Sequence, residues 1–193
     1  MKAIRAAILS LGLLAGCTAY EAIPGQPQAI GNGLSVVGEP EFNRRTGAIG
    51  RRAEFQQWTA DGFELNALHL YGGIGEGETL SPVADRDNRR ELPVFRANSN
   101  LAEAAEFVQA SIAKLGGTAL IEARDIRPIA FGGRDGFRFE FRITLKDEVE
   151  RDGIAAGAVA SGRLYLIFYH APRQHYFERR KPAVERIIAS ARL

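Results

Sequence analysis

The chain has 193 residues, with 25 lysines and arginines against 23 aspartates and glutamates, three histidines and one cysteine. This near-balance of charge argues against a nucleic acid or other polyanion as partner, and a lone cysteine excludes a disulfide framework, so the fold must rest on its core. The length suits one domain with a sizeable core and is short for two.

Residues 1–16 read as a targeting segment and not as part of the fold. Lys2 and Arg5 form a positive start, and Ala6 to Gly16 (AAILSLGLLAG) is apolar but too short to span a bilayer. Leu14-Ala15-Gly16-Cys17 resembles the lipobox of bacterial lipoproteins. The resemblance implies a cut between Gly16 and Cys17 and acyl chains, palmitate among them, on Cys17. Two or more such chains hold a protein at a membrane stably, at about 0.8 kcal/mol per buried methylene. Thr18 follows the cysteine where an aspartate would favour the inner membrane, which implies an envelope protein on the periplasmic face of the outer membrane. Without Lys2 and Arg5 the chain carries 23 basic and 23 acidic side chains, so the isoelectric point near 8.8 overstates its basicity.

Thr18 to Ala29 (TAYEAIPGQPQA) holds two prolines, a glycine and little that packs. Residues 17–29 are therefore expected to be a flexible tether, with one globular domain over residues 30–193. Leu34 to Val37 is a short strand candidate. Ala53 to Thr59 and Phe63 to Tyr71 read as a hairpin across Asp61-Gly62, because a type I′ turn needs positive φ at both central residues. Trp58 to Leu80 (WTADGFELNALHLYGGIGEGETL) is similar to stretches in uncharacterised bacterial lipoproteins. Gly72 to Pro93, rich in glycine and charge, is expected to be a long mobile loop.

Asn100 to Leu115 is expected to be a helix: Leu101, Ala105, Val108, Ile112 and Leu115 stack on one face, Asn100 and Glu103 form a capping box, and Gly116-Gly117 stops it. Thr118 to Phe131 reads as a strand interrupted by Pro128, turned back over Gly132 to Gly136. In the next strand Phe137, Phe139, Phe141, Ile143 and Leu145 alternate with Arg138, Glu140, Arg142, Thr144 and Lys146, which predicts one dry and one wet face. Lys146 to Ala160 reads as a connection. Arg163 to His170 (RLYLIFYH) is apolar on both faces and expected at the centre of the sheet. A last helix carries Pro182 in its first turn and an apolar stripe of Val184, Ile187, Ile188 and Ala191.

The fold class expected is therefore α+β: a single domain, mainly antiparallel sheet flanked by helices. From Asn100 to Leu193 the order of these elements resembles the Mog1/PsbP-like α/β/α sandwich. That resemblance implies an accessory protein that docks on a larger complex.

The glycines of YGGIGEGETL do not make a nucleotide loop. No register satisfies G-x-G-x-x-G, no lysine lies between Lys2 and Lys114 for a P-loop, and Glu76 and Glu78 would repel phosphate. His170 and His175 are a candidate metal pair that Glu178 or Asp152 could complete. Ser161 lacks the first glycine of G-x-S-x-G, and the one thiol is consumed by the lipid. Carboxylates in charged runs, such as Asp85, Asp87, Asp147, Glu148 and Glu150, read as solvated loops. Arg44, Arg45, Arg51, Arg52, Arg179 and Arg180 are a candidate partner surface, since paired guanidinium groups meet carboxylates and phosphates bidentately. Trp58, Tyr71, Tyr165, Phe168 and Tyr169 are candidates to line a groove.

With no complete catalytic constellation and no cofactor expected, the chain reads as a lipid-anchored, non-catalytic binding or assembly module. Its expected partners are the membrane, through the acyl chains, and a protein of the envelope. The alternatives are an envelope hydrolase of cell wall or lipid, and a carrier of a small lipophilic ligand.

Overall fold

The computed structural model describes residues 20–46, 54–81, 92–118, 121–144 and 148–193. The expected signal segment, residues 1–16, and Cys17, Arg51, Arg52, Asp85, Asp87 and Asp147 lie outside them. Eight strands form one antiparallel sheet: β1 (Tyr20–Ala22), β4 (Asn43–Arg45), β5 (Phe55–Thr59), β6 (Ala67–Ile74), β10 (Arg163–Pro172), β9 (Glu150–Ala160), β8 (Arg134–Thr144) and β7 (Glu122–Phe131), in that spatial order. Helix α1 (Leu101–Gly116) covers one face. Helix α2 (Glu178–Ala189) and the small ribbon of β2 (Pro27–Ile30) and β3 (Leu34–Val37) cover the other. The chain is thus an α+β fold with a mainly antiparallel sheet and a helix on each side.

The stretch expected to be a tether belongs to this fold from Tyr20 on. Tyr20–Ala22 pairs with β4, the Ile23 amide donates to the Phe42 carbonyl, and Ile23 and Ile30 are fully buried. Each buried isoleucine is worth about 1.5–3 kcal/mol, which outweighs the weak local propensity of a proline-rich segment. The ribbon crosses β6 at Gly72, where a Cβ would lie 1.9 Å from the Ile30 carbonyl oxygen. Further along, β3 pins the C-terminus: Ser35 and Arg192 exchange both backbone hydrogen bonds.

Helix α1 has the expected caps, with Asn100 and Glu103 bonding each other's amides and Gly117 left-handed at φ 66°. Its buried face is Ala104, Ala105, Phe107, Val108, Ser111, Ile112 and Ala113; Leu115, expected on that face, is 45% exposed. Gly132 and Gly133, both at positive φ, make a two-residue turn between β7 and β8, tighter than expected. Pro128 is accommodated because β7 is the sheet edge.

Four expectations fail for identifiable reasons. The Asp61-Gly62 turn is a seven-residue loop, 60–66, organised by Asn66, whose side chain accepts from Ala60 N and Thr59 Oγ1 and donates to Asp61. Second, Gly72 to Ile74 continue β6, and the turn beyond is held by bonds from Gly75 N to Glu78 Oε2 and from Gly77 N to the Phe95 carbonyl. Pro182 is the fifth residue of α2, because the helix already begins at Glu178, directly after a π-helical turn, Arg173–Phe177, and so earlier than expected. Finally, the wet face expected for β8 is covered by α2: Arg138 is 4% exposed and bonds Asp125, Glu140 and Glu185, while Lys181 bonds Glu140.

Within the connection expected over 146–160, Glu150–Ala160 is in fact β9, a central strand buried along most of its length. Alanine and glycine have low strand propensity, but here small size is the requirement. A Cβ at Gly153 would lie 2.1 Å from the Phe141 ring, and one at Gly157 would lie 2.5 Å from the Tyr165 carbonyl oxygen. Gly157→Ala is therefore expected to lower stability by about 2–3 kcal/mol, since backbone cannot yield as a flexible side chain can. Urea denaturation at pH 7 measures it, and an unchanged midpoint would show that β9 has room to spare.

Candidate functional site

Antiparallel register carries one row of side chains across the α1 face. Tyr20 pairs with Arg45, Gln57 with His69, and His69 with Phe168. Arg45 bonds Gln57 Oε1 at 3.5 Å, and Gln57 Nε2 meets His69 Nδ1 at 3.3 Å. Below this row the rings of Tyr71, Phe168, His69 and His170 overlap: His69 stacks on Phe168 at 4.3 Å between centroids and on His170 at 5.5 Å.

These rings floor a cleft of about 270 Å³. Ile143 forms one wall, and Ile112, Leu115 and Gly116 at the end of α1 form the roof. The lining is almost wholly apolar, yet His69 Nε2 and His170 Nδ1 are buried there without a hydrogen-bond partner among the described residues. Arg151 extends the same face beyond His170. It is 7% exposed, gives one hydrogen bond to the Glu64 carbonyl, and leaves its Nε unpartnered.

Burial holds His69 well below the ordinary imidazole value, with the neighbouring His170 adding to the effect. His170 is pushed down to about 4, first by burial and then by the charge of Arg151. Both rings are neutral at pH 7. Arginine can only donate, so Gln57 Oε1 is the acceptor for Arg45 and the Gln57 amide donates to His69 Nδ1. The proton of neutral His69 then sits on Nε2, which leaves an N–H in the cleft with nothing to receive it.

Of the aromatic residues expected to line a groove, Tyr71 and Phe168 do so. Trp58 and Tyr169 are fully buried on the opposite face, and Tyr165 is half-buried against Gly33. The metal pairing of His170 with His175 is not brought together: His170 stacks on His69, whereas His175 is exposed in the π-helical turn at φ 71°. Asp152 is held by Arg142 and Arg124, and no group of three or more metal-ligating side chains converges among the described residues. His69 was not singled out from the sequence; it is found only through the strand register.

The arginines divide. Arg44 bonds Glu21 at 2.6 Å and Arg45 lies over the Phe63 ring, both near the β1 edge. Arg179 is exposed. Arg180 is not free surface: it is 9% exposed and gives a bidentate pair to Asp61 at 2.8 and 3.0 Å plus a bond to Glu41, tying α2 to the 60–66 loop. A larger opening of about 750 Å³ is lined by Glu148, Val149, Glu150, Pro172, Arg173 and Gln174, with the Arg173–Glu150 pair among them.

Two predictions follow from these environments. Arg180→Ala should cost about 2 kcal/mol by leaving Asp61 and Glu41 unpaired at a partly buried site, whereas Arg179→Ala should stay within about 0.5 kcal/mol. Chemical denaturation of both variants checks this. Acid stability should report the imidazoles. Their folded-state pKa lies below the unfolded value near 6.5, so nothing is lost above that pH. As the pH falls below it, the unfolded chain takes up protons first, and stability declines until His170 titrates in the fold at about 4. Between pH 7 and 5 the loss from His170 should be on the order of 2 kcal/mol. It should largely disappear in His170→Phe, and a flat wild-type profile over that range would contradict the burial.

No protein-family model and no curated protein matches the chain. Among solved structures it is similar to the solution structure of cyanobacterial PsbP (CyanoP) from Synechocystis sp. PCC 6803. The TM-score is 0.54 at 12% sequence identity, over 88% of this chain and 94% of that one. At that identity the likeness is one of fold, and it shows that the PsbP-like architecture expected for the C-terminal half extends over most of the chain.

Proposed function

We propose that this chain is a lipid-anchored, non-catalytic binding or accessory module of the cell envelope, held at the periplasmic face of the outer membrane by Cys17, with the cleft beneath α1 as its recognition site. The observation that carries the reading is the cleft itself: an apolar opening with two unsatisfied imidazole nitrogens on its floor. A core built only for stability would fill that space, because each buried polar atom left without a partner costs about 1–3 kcal/mol. The lipobox resemblance supports the anchor, and the accessory role implied by the Mog1/PsbP-like resemblance agrees with a recognition site on the sheet.

The short distance between anchor and fold adds a geometric consequence. Cys17 precedes Tyr20 by three residues, a reach of about 10 Å at full extension. An acylated Cys17 would hold the β1 edge, with Tyr20 stacked on Phe63, at the level of the lipid headgroups. The apolar lining of the cleft also favours a second reading, a carrier of a small lipophilic ligand.

Membrane fractionation and in-cell crosslinking of wild type, Cys17→Ala and Leu115→Trp test the proposal. Leu115 is half exposed at the cleft rim, so the tryptophan should occlude the opening without disturbing the core. Cys17→Ala should leave the membrane fraction. Leu115→Trp should stay there and lose at least tenfold of any crosslinked partner. Soluble wild type would end the anchored reading, and a complex indifferent to Leu115→Trp would end the role of the cleft.

A further inference from the structure

We infer that the cleft beneath α1 binds the acid end of a small, largely apolar carboxylic acid, with His69 Nε2–H as hydrogen-bond donor and Arg151 as the nearby positive charge. This rests on the cleft being a recognition site and names the chemistry that it recognises.

Three observations lead to an anion with an apolar body. The Arg45–Gln57–His69 chain fixes the His69 tautomer, so of the two atoms lacking a partner in the cleft among the described residues, His69 Nε2 is a donor and calls for an oxygen acceptor. Arg151 is buried on the same face, close enough to depress His170, and no carboxylate faces it among the described residues. A guanidinium taken out of water without a counter-charge is costly, and a ligand carboxylate would offset that cost. Beside His69 and His170, the lining residues Tyr71, Ile112, Leu115, Ile143 and Phe168 offer apolar contact, the Tyr71 hydroxyl being bonded to the Leu80 carbonyl.

The Arg151 charge and the neutral His69 donor together disfavour other ligands. A cation would meet Arg151 and an N–H donor, with no acidic side chain lining the cleft. A volume of about 270 Å³ lies at the small end of ligand pockets, so the occupant is a short acid or the head of a longer acyl chain whose tail leaves past the exposed Leu115.

The test uses the purified full-length chain and four probes: hexanoate, hexylamine, hexanol and dodecanoate, followed by NMR at the methyl groups of Ile112, Leu115 and Ile143 and at the imidazole nitrogens. Hexanoate should bind with a dissociation constant on the order of 1 mM, at least tenfold tighter than hexylamine, and shift the His69 Nε2 resonance. His69→Phe keeps a ring on Phe168 while deleting the donor, and should weaken hexanoate at least tenfold but leave hexanol unchanged. Arg151→Met should act in the same direction; should it fail to fold, His69→Phe carries the test alone. Dodecanoate binding more than tenfold tighter than hexanoate identifies an acyl chain as the source of the acid, and equal binding identifies a short free acid. If hexanol and hexylamine perturb the cleft methyl groups as much as hexanoate, or if His69→Phe binds hexanoate like wild type, the carboxylate inference is overturned while the cleft stands. If no probe perturbs those methyl groups, the cleft is not a recognition site and both readings fall.

Discussion

Close approach around β9 is the constraint on which the rest of this structure depends. Gly153 and Gly157 have no side chains, and the rings of Phe141 and Phe137 occupy the space on the α1 face where those side chains would stand. Ala155, between them, faces Phe139 on one neighbouring strand and Phe168 on the other. The aromatic residues of β8 and β10 therefore lean together over a strand of small residues and present one continuous surface to α1. Helix α1 meets it with Ala104, Ala105 and Val108, residues small enough to let the helix sit close. Larger residues on β9 would lift the rings, lift the helix, and remove the shape of the cleft at its C-terminal end.

The two faces of the sheet are held by different physics. On the α1 side cohesion is apolar contact between rings and helix, and among the described residues His69 Nε2, His170 Nδ1 and Arg151 Nε are buried there without a partner. On the α2 side a hydrophobic layer is fenced by ion pairs: Arg180 with Asp61 and Glu41, Arg186 with Glu39, and Arg138 and Lys181 with Glu140 and Glu185. The partner groups depress the carboxyl pKa of Glu39, Asp61 and Glu140 against the opposing effect of burial, so these pairs persist well into the acid range. Mild acid thus strains the cleft side before it touches the α2 side.

What could be read from the sequence followed from local rules. The capping box of α1, the Gly132-Gly133 turn, the short β3 strand and the buried run of β10 are each specified by residues within a few positions of one another, and each stands where expected. What could not be read depends on partners distant in sequence. The strand character of Glu150 to Ala160 is imposed by rings on flanking strands, and the order of Tyr20 to Ile30 by Phe42, Gly72 and the pairing with β3 and β4. Arg180 reads from sequence as part of a partner surface because Asp61 and Glu41, which hold it, lie more than a hundred residues away. The cleft was half legible: Tyr71 and Phe168 stood out as aromatic candidates and His170 as a polar one. Which face each occupies, and that His69 joins them, is decided by a strand register with a period of two that no local pattern discloses.

The relation between His69, His170 and Arg151 gives the cleft its sign. Two neutral imidazoles in an apolar setting would be indifferent to the charge of a ligand, and a buried arginine with an acidic partner would be electrically closed. Here the arginine is close enough to suppress protonation of His170, and its only bond among the described residues is to a backbone carbonyl. The chain from Arg45 through Gln57 then turns the His69 proton toward the opening. Strand register sets Arg151 of β9 opposite Ile143, the wall of the cleft, at the point where the aromatic floor ends. The positive field and the unsatisfied donor are maintained at a cost to stability, which is the expected mark of a surface kept for binding and not for packing.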